Sequence, residues 1–340
     1  MERLRTASLF SGCGGMDLGM LGGFGFLNTE YSRNPIDIVY AIDNDIYACE
    51  IYNSNFQHKC THEDIRKVKA ADIPFHHILT GGFPCQSFSI VAQNPPRLGY
   101  KDEKGRLFFE MCRVLKEKKP LCFIAENVKG ILSANDGQAF PLILKNFEDA
   151  GYYARYSLLD SSDYGVPQRR ERVFVVGFRD LEVLWKFQFP KPTTKESKVS
   201  LSSVLLPENG VDEKYYFSDK AINGMEKVRE KMNKGRVQDI NKPCSTIGAH
   251  LAKVSLNSTD PVLRIDGRYR RFTPREAARI QSFPESFILV GSDIRQYRAI
   301  GNAVPPVLMW HITREVLRAI GKTVKEDYLA FENEATKIRI

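Results

Sequence analysis

The sequence lacks any apolar run close to the roughly 18 to 20 residues that span a bilayer. Its start, MERLRTASLFSGCGG, lacks the long apolar core of a secretory signal, and no internal repeat is visible. We therefore expect a cytoplasmic protein without a membrane partner. With 340 residues, 43% of them hydrophobic, the chain can build one large domain and a smaller one.

Cysteine pairs of the CxxC type are also absent, although the chain has seven cysteines. An odd number spread along the chain is typical of a reducing compartment rather than of a disulfide framework. His58, Cys60 and His62 alternate as on one face of a strand, but no second ligand pair follows at a structural-zinc spacing. The pattern favours a polar strand at a sheet edge, and we predict no metal site.

What the sequence does contain is the segment GGFPCQSFS, Gly81 to Ser89, after the apolar run FHHILT. That run predicts a buried strand, so Cys85 should lie just past its carboxyl end, where open α/β sheets bind ligands. Glycines allow close approach of the backbone, and Pro84 restricts the φ angle before the cysteine. A presented thiol and a buried cysteine in a turn are equally compatible with this segment.

Three more predicted strands end in residues suited to ligand binding. The first leads into a glycine-rich turn at Gly12 and Gly14 that lacks the third glycine of a dinucleotide fingerprint. The second, Ile36 to Ile42, ends on Asp43, whose carboxylate could accept hydrogen bonds from two ribose hydroxyls. Asp64 ends a third, short strand. A plain turn is the alternative for the glycines, and helix N-caps are the alternative for both acids.

A fourth run, LCFIAEN, predicts an apolar strand that ends in Glu126 and Asn127. A carboxylate beside a buried run tends to have a raised pKa, which suits a proton donor; a solvated strand end is the alternative. Further on, Arg170 and Arg172 precede the β-like run VFVVGF and would project to one side of a strand. Two guanidinium groups there could bind a phosphate or a carboxylate, or form an exposed salt-bridging face.

Between residues 186 and 261 the βα alternation stops, and prolines, polar runs and short β-like pieces take over. This stretch holds 13 Lys and Arg against 9 Asp and Glu, half of the chain's formal charge of +8. We predict a catalytic and cofactor-binding domain over 1–185 and a second, basic, loop-rich domain over 186–261. The charge suits contacts with nucleic acid, although charge runs are usually solvated faces.

The return segment, 262–340, resumes the α/β pattern. RRFTPREAARIQSFP carries the signature of a capped helix start at Thr273. A turn is predicted at Gly301 and Asn302. An apolar helix from about 303 to 320 should then complete the first domain.

Taken together, seven segments resemble the DNA (cytosine-5)-methyltransferase family, bacterial restriction-modification type. They are LFSGCGGMDLG, AIDND, GGFPCQSFS, AENVKG, YGVPQRRERVFVVG, RRFTPREAARIQSFP and YRAIGNAVPP, in the family's order between about residues 5 and 320. The resemblance implies a DNA (cytosine-5-)-methyltransferase with an α/β fold. Its Rossmann-like S-adenosylmethionine-dependent methyltransferase sheet would carry a second, smaller, loop-rich recognition domain.

The resemblance also implies a mechanism. The thiolate of Cys85 adds to carbon 6 of a cytosine flipped out of duplex DNA, while Glu126 protonates or hydrogen-bonds N3. Carbon 5 then takes the methyl group of S-adenosylmethionine, and loss of the carbon 5 proton and of the thiol restores the ring. The supporting catalytic residues implied are Asn127, Gln168, Arg170 and Arg172.

For the cofactor, the resemblance implies that the glycine turn binds the methionine part, Asp43 the ribose and Asp64 the adenine side. Some members follow the ribose acid with an aromatic residue, whereas this chain has Asn44, so its adenine contacts differ there. The implied cofactor residues are Phe10, Gly12, Gly14, Asp43, Asp64, Pro84, Leu107 and Asn302.

Residues 186–261 correspond to the family's target-recognition domain, in which Thr246 and Ile247 fit a threonine-plus-aliphatic pair. The predicted DNA contacts are Lys234, Arg236, Thr246, His250 and Lys253. Double-stranded DNA is the implied partner of a monomeric chain. A companion restriction endonuclease that acts on the same site is compatible with so compact an enzyme.

Two alternatives stay open. One is the tRNA cytosine-5 methyltransferase branch of the same family, which tends to carry a Cys-Phe-Thr tripeptide that this chain lacks. The other is a catalytically silent DNA-binding relative. Such a relative would be expected to have lost Cys85 or Glu126, and both are present.

Overall fold

A computed structural model describes residues 3–83, 107–229, 236–251 and 260–321. Four predicted site residues lie outside these ranges: Pro84, Cys85, Lys234 and Lys253. The strands are β1 (Leu4–Leu9), β2 (Phe24–Phe26), β3 (Thr29–Tyr31), β4 (Ile36–Asp43), β5 (Cys60–His62), β6 (Ile78–Gly81), β7 (Cys122–Val128), β8 (Tyr153–Asp160), β9 (Glu171–Phe178), β10 (Leu263–Ile265) and β11 (Arg268–Arg270). The α-helices are α1 (Gly15–Leu21), α2 (Ile46–Asn55), α3 (Leu107–Lys118), α4 (Ala139–Asp149), α5 (Leu181–Lys186), α6 (Asp219–Arg229), α7 (Pro274–Ile280), α8 (Asp293–Asn302) and α9 (Pro306–Ile320).

Seven strands form one sheet in the order β5-β4-β1-β6-β7-β9-β8. The first five are parallel to one another, while β9 runs antiparallel to both of its neighbours. The carboxyl ends of the other six strands, β8 included, therefore share one edge with the amino end of β9. Register pairs Val128 with Arg172 at that edge. The predicted α/β fold is confirmed, with the reversal of β9 as an added feature.

Helices cover both faces of the sheet, which explains why β7 is an apolar run rather than an alternating one. Cys122 and Ile124 pack into one core cluster, and Phe123 and Ala125 pack into the other. Gly177 on β9 is required opposite Phe123, because a Cβ there would lie 2.1 Å from the phenyl ring. Small and large residues thus interlock across the two strands.

The helix α9 packs against α1 through a close backbone approach. A Cβ added at Gly19 would lie 2.4 Å from Pro306 O and 2.6 Å from Met309 Cβ. The predicted turn at Gly301 and Asn302 is instead the last turn of α8. The helix ends at Asn302 and cannot continue far, because Pro305 disfavours a helical conformation for Val304, the residue before it.

Between residues 186 and 251 the described part of the chain contains no strand; it contains short 3₁₀ turns and α6. The β-like sequence KYYF forms a 3₁₀ turn and one isolated bridge, Tyr216 to Arg270. In KFQF, Phe187 packs its ring against Phe178, with centroids 5.4 Å apart. These aromatic residues are buried by packing rather than by strand pairing. The division at 186 and 261 stays a prediction.

Within the described residues, no helix combines the length and apolar character needed to cross a bilayer.

Candidate active site

Glu126 and Arg172 form a buried ion pair at the carboxyl edge of the sheet. Arg172 Nε lies 3.0 Å from Glu126 Oε1, and each side chain is only 13% exposed. Adjacent, oppositely directed strands bring the two residues together, since Glu126 lies near the end of β7 and Arg172 lies near the start of β9. Burial raises the pKa of the Glu126 carboxyl, while Arg172 and then Arg170 act in the opposite direction.

The backbone that leads to Cys85 starts beside this carboxylate. A Cβ added at Gly82 would lie 3.3 Å from Glu126 Oε2, so a glycine keeps the contact open. Asn127 is buried, and its Nδ2 donates to Phe83 O at 2.9 Å. The last described residues before the predicted nucleophile are therefore held between the side chains of Glu126 and Asn127.

Arg170 is buried and donates hydrogen bonds to two backbone carbonyl groups. Its Nη1 donates to Ile247 O and its Nη2 donates to Gly301 O, both at 3.0 Å. Its Nε is buried without a hydrogen-bond partner within the described residues. Burial lowers the pKa of Arg170 to about 9, with Arg172 adding to the effect and Glu126 opposing it. Arg170 thus contributes charge near Glu126 while its side chain holds two backbone segments.

Gln168 is a connecting residue rather than a surface one. It is completely buried; its Nε2 donates to Gln281 Oε1 at 2.8 Å, and its Oε1 accepts from Ile247 N at 2.8 Å. Cys244 pairs with Gln168 in a parallel bridge. Through these contacts, the segment around Cys244 packs beside the residues that precede β9.

The predicted ribose acid is positioned by backbone donors. Asp43 Oδ2 accepts from Gly12 N, and Oδ1 accepts from Asp45 N, both at 2.8 Å. Burial raises the pKa of the Asp43 carboxyl, and these N–H groups act in the opposite direction. The N-cap of α2 is Asp45, so Asp43 does not have the helix-capping role that was the alternative for it. Each oxygen of Asp43 keeps further acceptor capacity for a ligand hydroxyl.

The glycine turn between β1 and α1 adopts left-handed backbone conformations. Phe10 and Gly12 both have φ near +56°, and Gly14 has φ +90°. A Cβ at Gly12 would meet nothing within 4 Å, so open space lies above the turn, whereas one at Gly14 would lie 2.3 Å from the Phe56 ring. Gly14 is therefore demanded by packing, and Gly12 leaves room for a ligand.

The remaining cofactor candidates are placed less uniformly. Leu107 begins α3 and packs, like Phe10, against the core on one face of the sheet. Asn302 is exposed at the end of α8. Asp64 accepts hydrogen bonds from the Arg66 backbone and guanidinium, so it caps a short 3₁₀ turn, the alternative named for it. Its contact with adenine stays a prediction.

Three of the predicted DNA contacts are described. Thr246 and His250 are exposed, and Thr246 Oγ1 donates to Arg169 O at 2.7 Å. Arg236, by contrast, is only 8% exposed, and its Nε donates to Asp260 O at 2.8 Å. This placement favours a structural role for Arg236 in joining two stretches of the loop-rich region.

Two residues near the site were not identified from the sequence. Asp17 is completely buried in the first turn of α1, where Ser8 Oγ and Tyr52 OH donate to it at 2.7 and 2.8 Å. Gln281 is equally buried and receives the bond from Gln168. In the sequence, the available signal for each was a single polar residue, Asp17 or Gln281, within an otherwise apolar helical pattern.

Comparison with known proteins gives a consistent result. The family model for C-5 cytosine-specific DNA methylases matches residues 4–318. The chain is 34% identical over 328 residues to Type II methyltransferase M1.ScrFI of Lactococcus lactis subsp. cremoris, covering 95% of this chain and 80% of that protein. It is also 34% identical over 326 residues to Type II methyltransferase M.SsoII of Shigella sonnei, covering 94% and 81%.

Among solved structures, the fold is similar to that of the Entamoeba histolytica methyltransferase EhMeth. The TM-score is 0.75 at 17% identity, over 93% of this chain and 98% of that one. This likeness concerns the arrangement of helices and strands.

Proposed function

Because the chain belongs to the C-5 cytosine-specific DNA methylase family, we propose that it methylates carbon 5 of a flipped-out cytosine by covalent catalysis through Cys85. The observation that carries this proposal is the buried pair of Glu126 and Arg172 beside the backbone that leads to Cys85. A buried carboxylate at this place can act on the ring nitrogen of a base that the thiolate attacks.

Carbon 5 of cytosine is a poor nucleophile until electron density is pushed onto it. The thiolate of Cys85 forms a C–S bond to carbon 6, and the displaced electron pair moves into the ring, where a hydrogen bond or proton from Glu126 to N3 absorbs it. Once carbon 5 has been methylated, a base removes its proton, the C–S bond breaks and the ring regains its aromaticity. The thiolate returns to its starting state.

The raised pKa of Glu126 supports this role, because burial favours the protonated carboxyl, and that form can donate to N3. Arg172 opposes the rise, so burial and the guanidinium act in opposite directions on this carboxyl. We assign Arg172 to orienting Glu126, and Asn127 to holding the start of the Cys85 loop.

The residues at the glycine turn fit S-adenosylmethionine, which supplies an electrophilic methyl group on a sulfonium. Asp43 offers acceptors for the ribose hydroxyls, and the open space above Gly12 leaves room for the methionine part. Asn302 and Leu107 complete the proposed pocket from the ends of α8 and α3. Hydrogen bonds from the backbone of Gly12 and Asp45 orient both carboxylate oxygens of Asp43 in the absence of a ligand.

The proposed substrate is a specific sequence in double-stranded DNA, read by residues of the 186–261 region that include exposed Thr246 and His250. The names of the two bacterial relatives as Type II methyltransferases support a role beside a restriction endonuclease of the same specificity. We propose that the chain acts as a monomer.

The test begins with transfer of labelled methyl groups from S-adenosylmethionine to unmethylated duplex DNA and, in parallel, to tRNA. We expect transfer to DNA only; transfer to tRNA alone would favour the tRNA branch.

Duplex DNA with 5-fluorocytosine should trap the chain covalently, since loss of a carbon 5 proton is blocked. Cys85→Ser should abolish the adduct, and Cys112→Ser, at a buried cysteine on α3, should retain it. An adduct that survives Cys85→Ser would exclude Cys85 as the nucleophile.

A further inference from the structure

Segments far apart in the sequence meet around one buried side chain, that of Gln281. Its Oε1 accepts from Gln168 Nε2 at 2.8 Å, and its Nε2 donates to Ile300 O at 2.9 Å and to Ala303 O at 3.3 Å. Gln281 and Gln168 have no exposed surface. Because a buried amide that loses its hydrogen-bond partners is destabilising, these bonds resist separation of the parts they join.

On one side, this pair reaches the region proposed to contact DNA. Gln168 Oε1 accepts from Ile247 N at 2.8 Å, and Arg170 Nη1 donates to Ile247 O at 3.0 Å. Both backbone polar groups of Ile247 are thus held by side chains that precede β9. Thr246, the adjacent proposed DNA contact, adds its own bond to Arg169 O. A movement of Thr246 on DNA binding would therefore also move Ile247, the hydrogen-bond partner of Gln168.

On the other side, the pair reaches the glycine turn of the cofactor pocket. The carbonyl groups that Gln281 holds flank Asn302, a proposed cofactor residue. A Cβ at Gly15 would lie 2.4 Å from Val304 O, and Cys13 Sγ donates to Ala299 O at 3.5 Å. The end of α8 therefore packs directly on the turn that begins α1.

The two sides also touch without any side chain between them. A Cβ added at Gly301 would lie 2.3 Å from Gly248 O and 2.5 Å from Ala249 N. Arg170 Nη2 donates to Gly301 O at 3.0 Å and reinforces the contact. Backbones packed this closely cannot move independently, because protein interiors are nearly incompressible.

We propose that the Gln168–Gln281 pair couples DNA binding to cofactor binding, and that Gln281 is a positioning residue for the methylation reaction. The inference rests on the proposed function. DNA that engages the segment around Thr246 shifts Ile247, and the hydrogen bonds carry that shift to the end of α8 beside Asn302. By linkage, DNA tightens cofactor binding by the same factor as the cofactor tightens DNA binding.

The coupling is measured by titrating S-adenosylhomocysteine into the full chain, with and without an unmethylated duplex that carries the site found by sequencing methylated DNA. In the unaltered chain we expect DNA to lower the Kd about tenfold or more. In Gln281→Met, which keeps the side-chain volume but loses both kinds of hydrogen bond, that ratio should fall below about threefold. The ratio is taken within one preparation, so a smaller folded fraction does not change it.

Gln168→Met cuts the same pair from the other side and should lose the coupling equally. The matched control is Gln296→Ala on α8, whose amide bonds only locally, to Gly291 O at 2.8 Å, and it should keep the ratio of the unaltered chain. The coupling role is overturned if both methionine variants keep that ratio, or if DNA leaves the Kd of the unaltered chain unchanged. Failure of the unaltered chain to methylate any DNA would overturn the proposed function instead.

Discussion

Opposing effects set the protonation of single carboxyl groups in this molecule. For Glu126, burial favours the neutral form and the guanidinium of Arg172 favours the charged form. For Asp17, burial again favours the neutral form, while the hydroxyls of Ser8 and Tyr52 favour the charged one. A cation, Arg172, opposes the effect of burial on the pKa of Glu126, whereas only hydroxyl hydrogen bonds oppose it for Asp17.

Replacing Arg172 by Gln removes the cation that lowers the pKa of Glu126, so that pKa should rise further. If the protonated carboxyl is the form that acts on N3, activity falls as pH rises through this pKa, and the alkaline limb of the kcat profile should move to higher pH. The maximal kcat should fall about 10²–10³-fold because the carboxyl is no longer held in place. The measurement is kcat against pH for methyl transfer.

Arg169→Gln is the matched control, because Arg169 is exposed and adjacent in sequence to Arg170. It should leave the alkaline limb where it is. An unchanged limb in Arg172→Gln as well would show that another group sets it.

Asp17→Asn tests the cost of burying a carboxylate. Burial raises the pKa of Asp17 from 3.8 to about 6, so the folded state binds the proton more tightly than the unfolded state does. The stability that this group contributes is fully present below pH 3.8 and is lost as pH rises through about 6. The free energy of unfolding of Asp17→Asn relative to the unaltered chain should therefore rise by about 3 kcal/mol between those pH values. Urea denaturation at several pH values measures it, and a flat difference would contradict it.

At the scale of elements, short helices are held by buried charges rather than by their own length. The helix α7 has a capping box in which Thr273 Oγ1 accepts from Glu276 N and Glu276 Oε2 accepts from Thr273 N. The Glu276 carboxylate also receives two bonds from Arg270 on β11 and one from Leu206 N. One carboxylate thus joins a helix, a strand and a loop.

Glu276→Gln should destabilise the fold by about 3–5 kcal/mol, because it leaves the fully buried Arg270 with Glu208 alone as its charged partner. The matched control is Glu213→Gln, which breaks the exposed pair with Arg268 and should cost less than about 1 kcal/mol. Thermal or urea unfolding of both variants gives the comparison. Equal losses would mean that burial does not decide the strength of the Arg270 pair.

At the scale of the whole molecule, a single sheet edge gathers the proposed cofactor and catalytic groups. Parallel strands deliver Asp43 and Glu126 from their carboxyl ends, and the reversed β9 delivers Arg172 from its amino end. The segment around Ile247 closes over the residues before β9. We therefore expect a ligand bound at this edge to stabilise the folded chain.

S-adenosylhomocysteine at about one hundred times its Kd should therefore stabilise the folded chain by about 2.7 kcal/mol. For a chain of this size that corresponds to a rise in Tm of about 4 °C. Asp43→Ala should abolish the shift at the same ligand concentration, because it removes the proposed ribose acceptor. Asp37→Ala, on the same strand but in an exposed pair with Arg3, should retain the shift. A full shift in Asp43→Ala would place the ribose elsewhere.

The sequence by itself determined which residues lie at the strand ends. An apolar run that stops at a polar residue reports where burial stops, and Asp43, Glu126 and Asn127 were found in this way. Such patterns are local and carry no information about the partner across the sheet. The reversal of β9, which places Arg172 against Glu126, was therefore decided only in three dimensions.

The burial of Gln168, Arg170 and Arg236 became visible only in the tertiary structure. The family resemblance implied Gln168 and Arg170 as supporting catalytic residues, and Arg236 was a predicted DNA contact. All three side chains are buried in contacts with distant backbone. The tertiary structure also turned the expected bend at Asn302 into the end of a helix. The physical reason is that a buried polar group must find its hydrogen-bond partner, and that partner is chosen by packing between segments far apart in the sequence.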